Sequence, residues 1–433
     1  MKDNSGYSNI PHAFFDFITF LTDALPLRSV PTFIELLIGA MLTQHGFVTH
    51  AWLAIDPLRH WTTYYKWIEC GKWSWVNIAR RLIRMLTVFF PEEERFLTLD
   101  DTLLFRSSKK APGSHIYHQH GTKENRPQYV RGQNWVCLAA VVHGFGKASI
   151  PLLSRMMRKA GNSSKLDAAK VMIRAIAPEL ANEKVTLLTD SWYMRGTLIK
   201  YVMSHSFQVI GQVRKDTALY DIPKPTGKRG RPRKYGDKYT PERVSRMPAT
   251  SKKIELYGRM QEVSFKSAVV CARFLKGQRV RVVWARFLDD KKVYKEHLIL
   301  ATDTNLTPVE VLRKYEKRWT IETMFNQVKN NWGWKEAWQQ SRQVLHRWIE
   351  ILSVAYAIPQ LLALQRDPEV YFLANFAPWR AKQPITAGRI RLGLKIILKH
   401  FRVRAWWNPK SRKFKPPETK ERGNNEDFTS KAA

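Results

Sequence analysis

Three carboxylates in this chain stand where a hard divalent cation could be gathered. Asp101 ends an alternating run in LTLDDT, with Leu97, Leu99 and Asp101 on one strand face and Asp100 on the other. Asp190 ends the short apolar strand VTLLTD and is followed by SWYMRG; Glu322 lies in a helical stretch after Thr307. Ligands of open α/β sheets gather at the carboxyl ends of strands. Mg²⁺ prefers carboxylates and retained water, whereas His and Cys favour softer metals. Two strand-end aspartates and a helix-borne glutamate therefore make an all-oxygen site for Mg²⁺. Taken singly, each has a plainer reading: an Asp at a strand end caps a turn, and a Glu on a charged helix face makes ordinary ion pairs.

The element that must present Glu322 is well marked. TPVE at Thr307–Glu310 is a capping box with Pro308 at the first helical position, and Gly333 offers a stop. In one continuous helix, at roughly 100° per residue, Tyr315, Arg318, Glu322 and Lys329 fall within about 60° of arc. Ile321, Met324, Phe325 and Val328 form a neighbouring apolar stripe that would anchor the helix. One carboxylate thus sits among cations aimed at a common partner.

Composition points to the class of that partner. The 433 residues carry 72 Lys and Arg against 37 Asp and Glu, a formal net charge of +35. Such self-repulsion is offset by a polyanion, and nucleic acid leads because each neutralised phosphate releases counterions. A hydrophobic fraction of 44% excludes a disordered chain. Cys70, Cys137 and Cys271 form neither a zinc spacing nor a disulfide framework, which fits a reducing cytosol. The apolar run from Phe33 to Thr43 is short of the ~20 residues that span a bilayer, so a soluble protein is expected.

Along the chain, residues 1–94 read as helical and DNA-binding, with Arg80, Arg81 and Arg84 on one helix. Arg59, Lys66 and Lys72 interleave with Trp and Tyr, which suits phosphate contact or, equally, an aromatic core with snorkelling cations. Residues 95–216 and 296–375 read as an α/β layer with a partly parallel sheet. Residues 217–295 read as a β-rich insertion with a basic loop, and 376–433 as a basic C-terminal tail.

The spacing Tyr315-x₂-Arg318-x₃-Glu322-x₆-Lys329 resembles the Tyr-Arg-Glu-Lys signature of bacterial DDE transposases of the insertion-sequence-four family. The strand ending at Asp100, Asp101 and Thr102 and the run Thr189 to Tyr193 occur in the expected order, with a β-rich insertion before the Glu. The resemblance covers about residues 1 to 375. It implies a ribonuclease H-like core in which Asp101, Asp190 and Glu322 hold two Mg²⁺ ions, with Mn²⁺ able to substitute. It also implies cut-and-paste transposition by a homodimer acting on double-stranded DNA, the transposon terminal repeats and the target, in a bacterial cytoplasm. Tyr315, Arg318 and Lys329 would contact phosphates near the cleaved end. RGRPRKYG resembles an AT-hook core, placing Arg229, Arg231 and Arg233 in a minor groove, or else it is a flexible basic linker. Relatives hold a flipped base against an aromatic of the insertion, for which Trp284 is the candidate and core packing its alternative. His115, His118 and His120 read as a solvated loop. The rival readings are a catalytically silent DNA-binding protein of the same descent and a nuclease that hydrolyses without strand transfer.

Overall fold

The structure is a computed structural model of the chain that describes residues 10–118, 127–157, 162–225, 232–288, 294–365, 367–398 and 402–414. Five helices come first: α1 (His12–Thr22), α2 (Val30–Leu42), α3 (Val48–Leu53), α4 (Trp61–Cys70) and α5 (Trp75–Phe89). Strands β1 (Arg95–Phe105), β2 (His115–His118), β3 (Tyr129–Gly144) and β4 (Gly146–Met156) follow. Next, α6 (Asn162–Ile176), β5 (Val185–Thr189), α7 (Gly196–Met203) and β6 (Gln208–Val213) alternate. The segment expected as an insertion holds β7 (Leu219–Tyr220), α8 (Pro241–Arg246), β8 (Thr250–Leu256), β9 (Arg259–Ala272) and β10 (Gln278–Leu288). β11 (Tyr294–Ala301), α9 (Pro308–Glu316), α10 (Thr320–Asn330), α11 (Arg342–Ala363), α12 (Pro368–Asn375) and α13 (Ala387–Leu398) come next, and the short strands β12 (Trp407–Asn408) and β13 (Lys413–Phe414) follow them.

One mixed sheet organises these elements. β4 pairs with β3, β3 runs antiparallel to β1, and β1, β5 and β6 lie parallel side by side. β3 is an almost wholly buried apolar run because both faces of the sheet are covered. β6 continues antiparallel into β11, β10 and β9, so the inserted strands extend the same sheet instead of standing apart from it.

The helical ends are not separate units. Residues of α1, α2 and α5 share one continuous core with β3, β4, α11 and α13. Arg347 of α11 is only 5% exposed and donates to the carbonyls of Ile68 (2.6 Å), Gly71 (2.8 Å) and Trp73 (2.9 Å). The aromatics around α4 are mostly structural: Tyr64 is buried and donates to Glu35 at 2.8 Å, and Trp67 stacks on Trp73. Arg80 and Arg81 likewise turn inward, donating to the carbonyls of Ala175 and Phe20. Arg84 pairs with Glu179. Within the segment expected as a basic tail, α13 buries Ile390, Leu394 and Leu398 at helical spacing.

The turn after α10 shows how tightly the ends meet. Gly333 has φ +75°, and a Cβ there would lie 2.4 Å from the Cα of Gly46. Trp348 donates to the carbonyl of Gly46 at 2.7 Å, locking the same contact from below. Gly333→Ala would meet both the backbone clash and the left-handed strain, so we expect a loss of more than about 2 kcal/mol. Chemical denaturation of the two proteins side by side measures it, and equal midpoints would refute the contact.

Candidate active site

The helix that carries Glu322 starts as its sequence dictates and then departs from it. Thr307 accepts from the Glu310 amide, and Glu310 accepts in return from the Thr307 amide, a complete capping box. α9 then gives way to a single 3₁₀ turn, Lys317–Trp319, before α10 begins at Thr320. The expected single helix is therefore two, and Arg318 sits in the turn between them. Glu322 falls in the first turn of α10, where the helix dipole favours a carboxylate.

The alternation of β1 decides which side chains meet this helix. Thr98 contacts Ser149, which in turn contacts Thr320 (3.3 and 2.7 Å). Two residues on, Asp100 receives Arg318 at 3.5 Å; two further, Thr102 accepts from Lys329 at 2.9 Å. Even-numbered side chains of β1 thus face α10. Asp101 points the other way, accepting from Asn134 (2.7 Å), Lys165 of α6 (2.7 Å) and the Tyr193 hydroxyl (2.9 Å). The expectation that Asp101 joins Glu322 is corrected on this geometry. Asp100 shares the face of Glu322, and Asp101 is held behind it by Asn134, Lys165 and Tyr193, the last of which also donates its amide to Asp190.

Asp190 follows β5, which pairs with β1 in parallel register, Leu99 opposite Thr189. The next residues along the two strands are therefore Asp100 and Asp190. Asp190 also accepts from the amides of Trp192 (3.0 Å) and Tyr193 (3.2 Å), so its turn-capping role and its place at the site coexist. Burial, then the charge of Asp190, pushes the Asp100 carboxyl up to about 7. Asp190 is raised as well, chiefly by burial. Arg318 bridges the group, donating to Glu322 at 2.8 Å while facing Asp100. Tyr315 is buried beneath it, with the guanidinium 5.9 Å from its ring.

Crowded like-charged carboxylates with only oxygen donors suit a hard divalent cation. Among the described residues no three acidic, His or Cys side chains converge closely enough to hold a metal ion. Asp100 and Asp190 are adjacent oxygen donors, and Arg318 stands between Asp100 and Glu322.

The other expected site residues are dispersed. Trp284 is half-buried and stacks on Tyr239 (5.7 Å between centroids), lining a cavity of about 580 Å³ with Lys215 and Lys266. Arg233 is exposed, whereas Arg229 and Arg231 lie outside the described residues. His115 and His118 belong to strand β2 and not to a loop; His120 lies outside the described residues. Reading from sequence chose Asp101 over the adjacent Asp100 on strand parity and the following Thr102, and nothing in the local pattern marked Lys165 or Asn134.

A family model described as DDE superfamily endonuclease matches residues 33–267, more than half of the chain. The chain belongs to that family. Membership in the DDE endonucleases implies DNA as substrate and divalent metal ions as cofactors. The matched segment contains Asp100, Asp101 and Asp190 and ends before Glu322. No curated protein matches this DDE endonuclease. Among its described residues no single helix is long and apolar enough to cross a membrane.

The raised Asp100 carboxyl makes metal-free stability depend on pH. A folded value near 7 against an ordinary 3.8 means that ionisation opposes folding. Stability is therefore lost as pH rises from about 4 to about 7 and stays lost above. Asp100→Asn removes that penalty, so its stability gain should be small near pH 4 and a few kcal/mol, in order of magnitude, above pH 7. Mg²⁺ should close the gap by stabilising the wild type alone. Denaturant titrations across pH, with EDTA or Mg²⁺, measure both effects; a pH-independent difference would refute this placement.

Proposed function

We propose that this DDE endonuclease is a transposase that excises and reinserts a DNA element by Mg²⁺-dependent hydrolysis and strand transfer. One observation carries the reading: Arg318 contacts both Asp100 and Glu322, and the parallel register of β1 with β5 sets Asp190 beside Asp100. The strand order β4-β3-β1-β5-β6, with β1, β5 and β6 parallel, supports a ribonuclease H-like core. The Tyr315, Arg318, Glu322 and Lys329 spacing, on adjoining helices, supports kinship with the insertion-sequence-four transposases.

Asp100, Asp190 and Glu322 would hold the metal ions. Bound divalent cations supply Lewis-acid activation of a water nucleophile and charge stabilisation of the leaving oxygen. The protein's own groups do the positioning. Arg318 stands between Asp100 and Glu322, where a phosphate could draw the guanidinium into a bidentate contact and free Glu322. Lys329, anchored through Thr102, places a second cation along the same strand. Asp101, tied to Lys165 and Tyr193, fixes the backbone on which Asp100 rides. The 3′-OH released by hydrolysis then serves as the nucleophile, first on the opposite strand and later on target DNA, so no enzyme nucleophile is needed. A homodimer would bring the two element ends together, with Arg233 gripping backbone and Trp284 offering a ring to a displaced base.

The test is incubation with the DNA that flanks the element and Mg²⁺ or Mn²⁺. A free 3′-OH, then a hairpin, then joined product is expected; hydrolysis without joining would identify a nuclease instead. Asp100→Ala, Asp190→Ala and Glu322→Ala should each cut cleavage by roughly a thousandfold or more while retaining DNA binding. Asp101→Asn should cost no more than about a hundredfold, as expected of a positioning residue. Normal cleavage by Asp100→Ala would sink the assignment.

A further inference from the structure

Beyond Asp100, β1 runs on to Phe105, five residues and roughly 17 Å away at strand spacing. There Phe105, Tyr129 and Trp338 line one groove of about 520 Å³. Their side chains are 45%, 62% and 59% exposed. Three large rings this exposed around one groove mark a binding surface more than a packing defect, although Tyr129 also packs on His118 and Trp338 on Phe47. Among the described residues that line the groove there are two cations, Arg106 and Arg131, and no carboxylate.

The rings stand on a braced frame. Arg106 is 7% exposed and donates to the carbonyls of Phe105 (2.9 Å), Lys335 (2.8 Å) and Ala337 (2.9 Å). It also donates to Gln133 at 3.0 Å, which in turn reaches the Pro112 carbonyl. The end of β1, the middle of β3 and the segment after α10 are thus bolted together by one guanidinium. Trp338 is held at its indole nitrogen, which donates to the Lys335 carbonyl at 2.8 Å, and by Phe47 against its ring.

We propose that this groove is a stacking platform for unpaired DNA nucleotides adjoining the strand cleaved at the Asp100 site. Its location relative to cleavage rests on the function proposed above; the binding itself does not. Duplex DNA offers a protein base edges, whereas aromatic faces engage bases that have left the stack. A second copy of this chain is a poorer occupant, because two copies that each carry a net charge of +35 repel one another.

The experiment is fluorescence anisotropy of the full chain in EDTA with a labelled oligothymidine and, separately, a labelled hairpin duplex. Trp338→Ala and Tyr129→Ala should each weaken oligothymidine binding about tenfold, leave duplex binding within about twofold, and Trp338→Phe should retain both. Unchanged oligothymidine affinity in both alanine variants overturns the proposal. So does an equal loss for duplex, or a loss of self-association at constant oligothymidine affinity. Tyr129→Ala guards against a folding artefact at Trp338, since Tyr129 is the most exposed of the three. Because EDTA prevents cleavage, a failed cleavage reading and a failed platform give different results.

Discussion

Charge crowding beneath Arg318 is the constraint on which the rest of the site depends. Parallel pairing of β1 with β5 places Asp100 and Asp190 at neighbouring positions, both withdrawn from water. Two such carboxylates cannot both ionise cheaply without a nearby cation. Arg318 meets that need, and the 3₁₀ turn between α9 and α10 is what brings it there. The same guanidinium holds Glu322, so a single side chain governs how three carboxylates share charge. Lys165 does the corresponding work for Asp101 on the opposite face. Four acidic groups are thereby divided between two faces of one strand pair, each with its own cation.

How much of this was readable in the amino-acid order differs by element. The start of α9 was fully legible, because a capping box is local chemistry. The strand-end position of Asp190 was legible as well, although turn capping is the plainer reading of such a residue and the structure shows it capping its turn. Asp100 was not. Alternation says which residues of β1 share a face, but both faces are buried, so it cannot say which helix covers which. Thr98 is as fully buried as Leu97 and Leu99, and that polar interior position hid the working face. The break at Lys317–Trp319 also escaped notice, because nothing in YEKRWT forbids a continuous helix. The apolar period of LGLKIILKHF showed in the sequence, but not that the cations before it pack inward: Arg389 and Arg391 are buried and donate to backbone carbonyls.

The family match and the geometry divide the site between them. Residues 33–267 contain both aspartates, whereas Glu322, Arg318 and Lys329 lie beyond the matched segment. What joins the halves is not a linker but the sheet itself, because β11 pairs with β6 and delivers the chain directly into α9. The inserted strands are therefore part of the frame that sets the position of Glu322.

The contact between Gly46 and Gly333 bears on the order in which a growing chain becomes an enzyme. Synthesis delivers the N-terminal helices first, yet their packing partners, the turn at Gly333 and α11, come far later, Trp348 lying 302 residues beyond Gly46. A nascent chain that already displays Asp100 and Asp190 has neither the helix that carries Glu322 nor a finished core to rest on. Contacts so distant in sequence form slowly and late. The N-terminal helices therefore complete their packing only after residues 333–363 have been added to the chain.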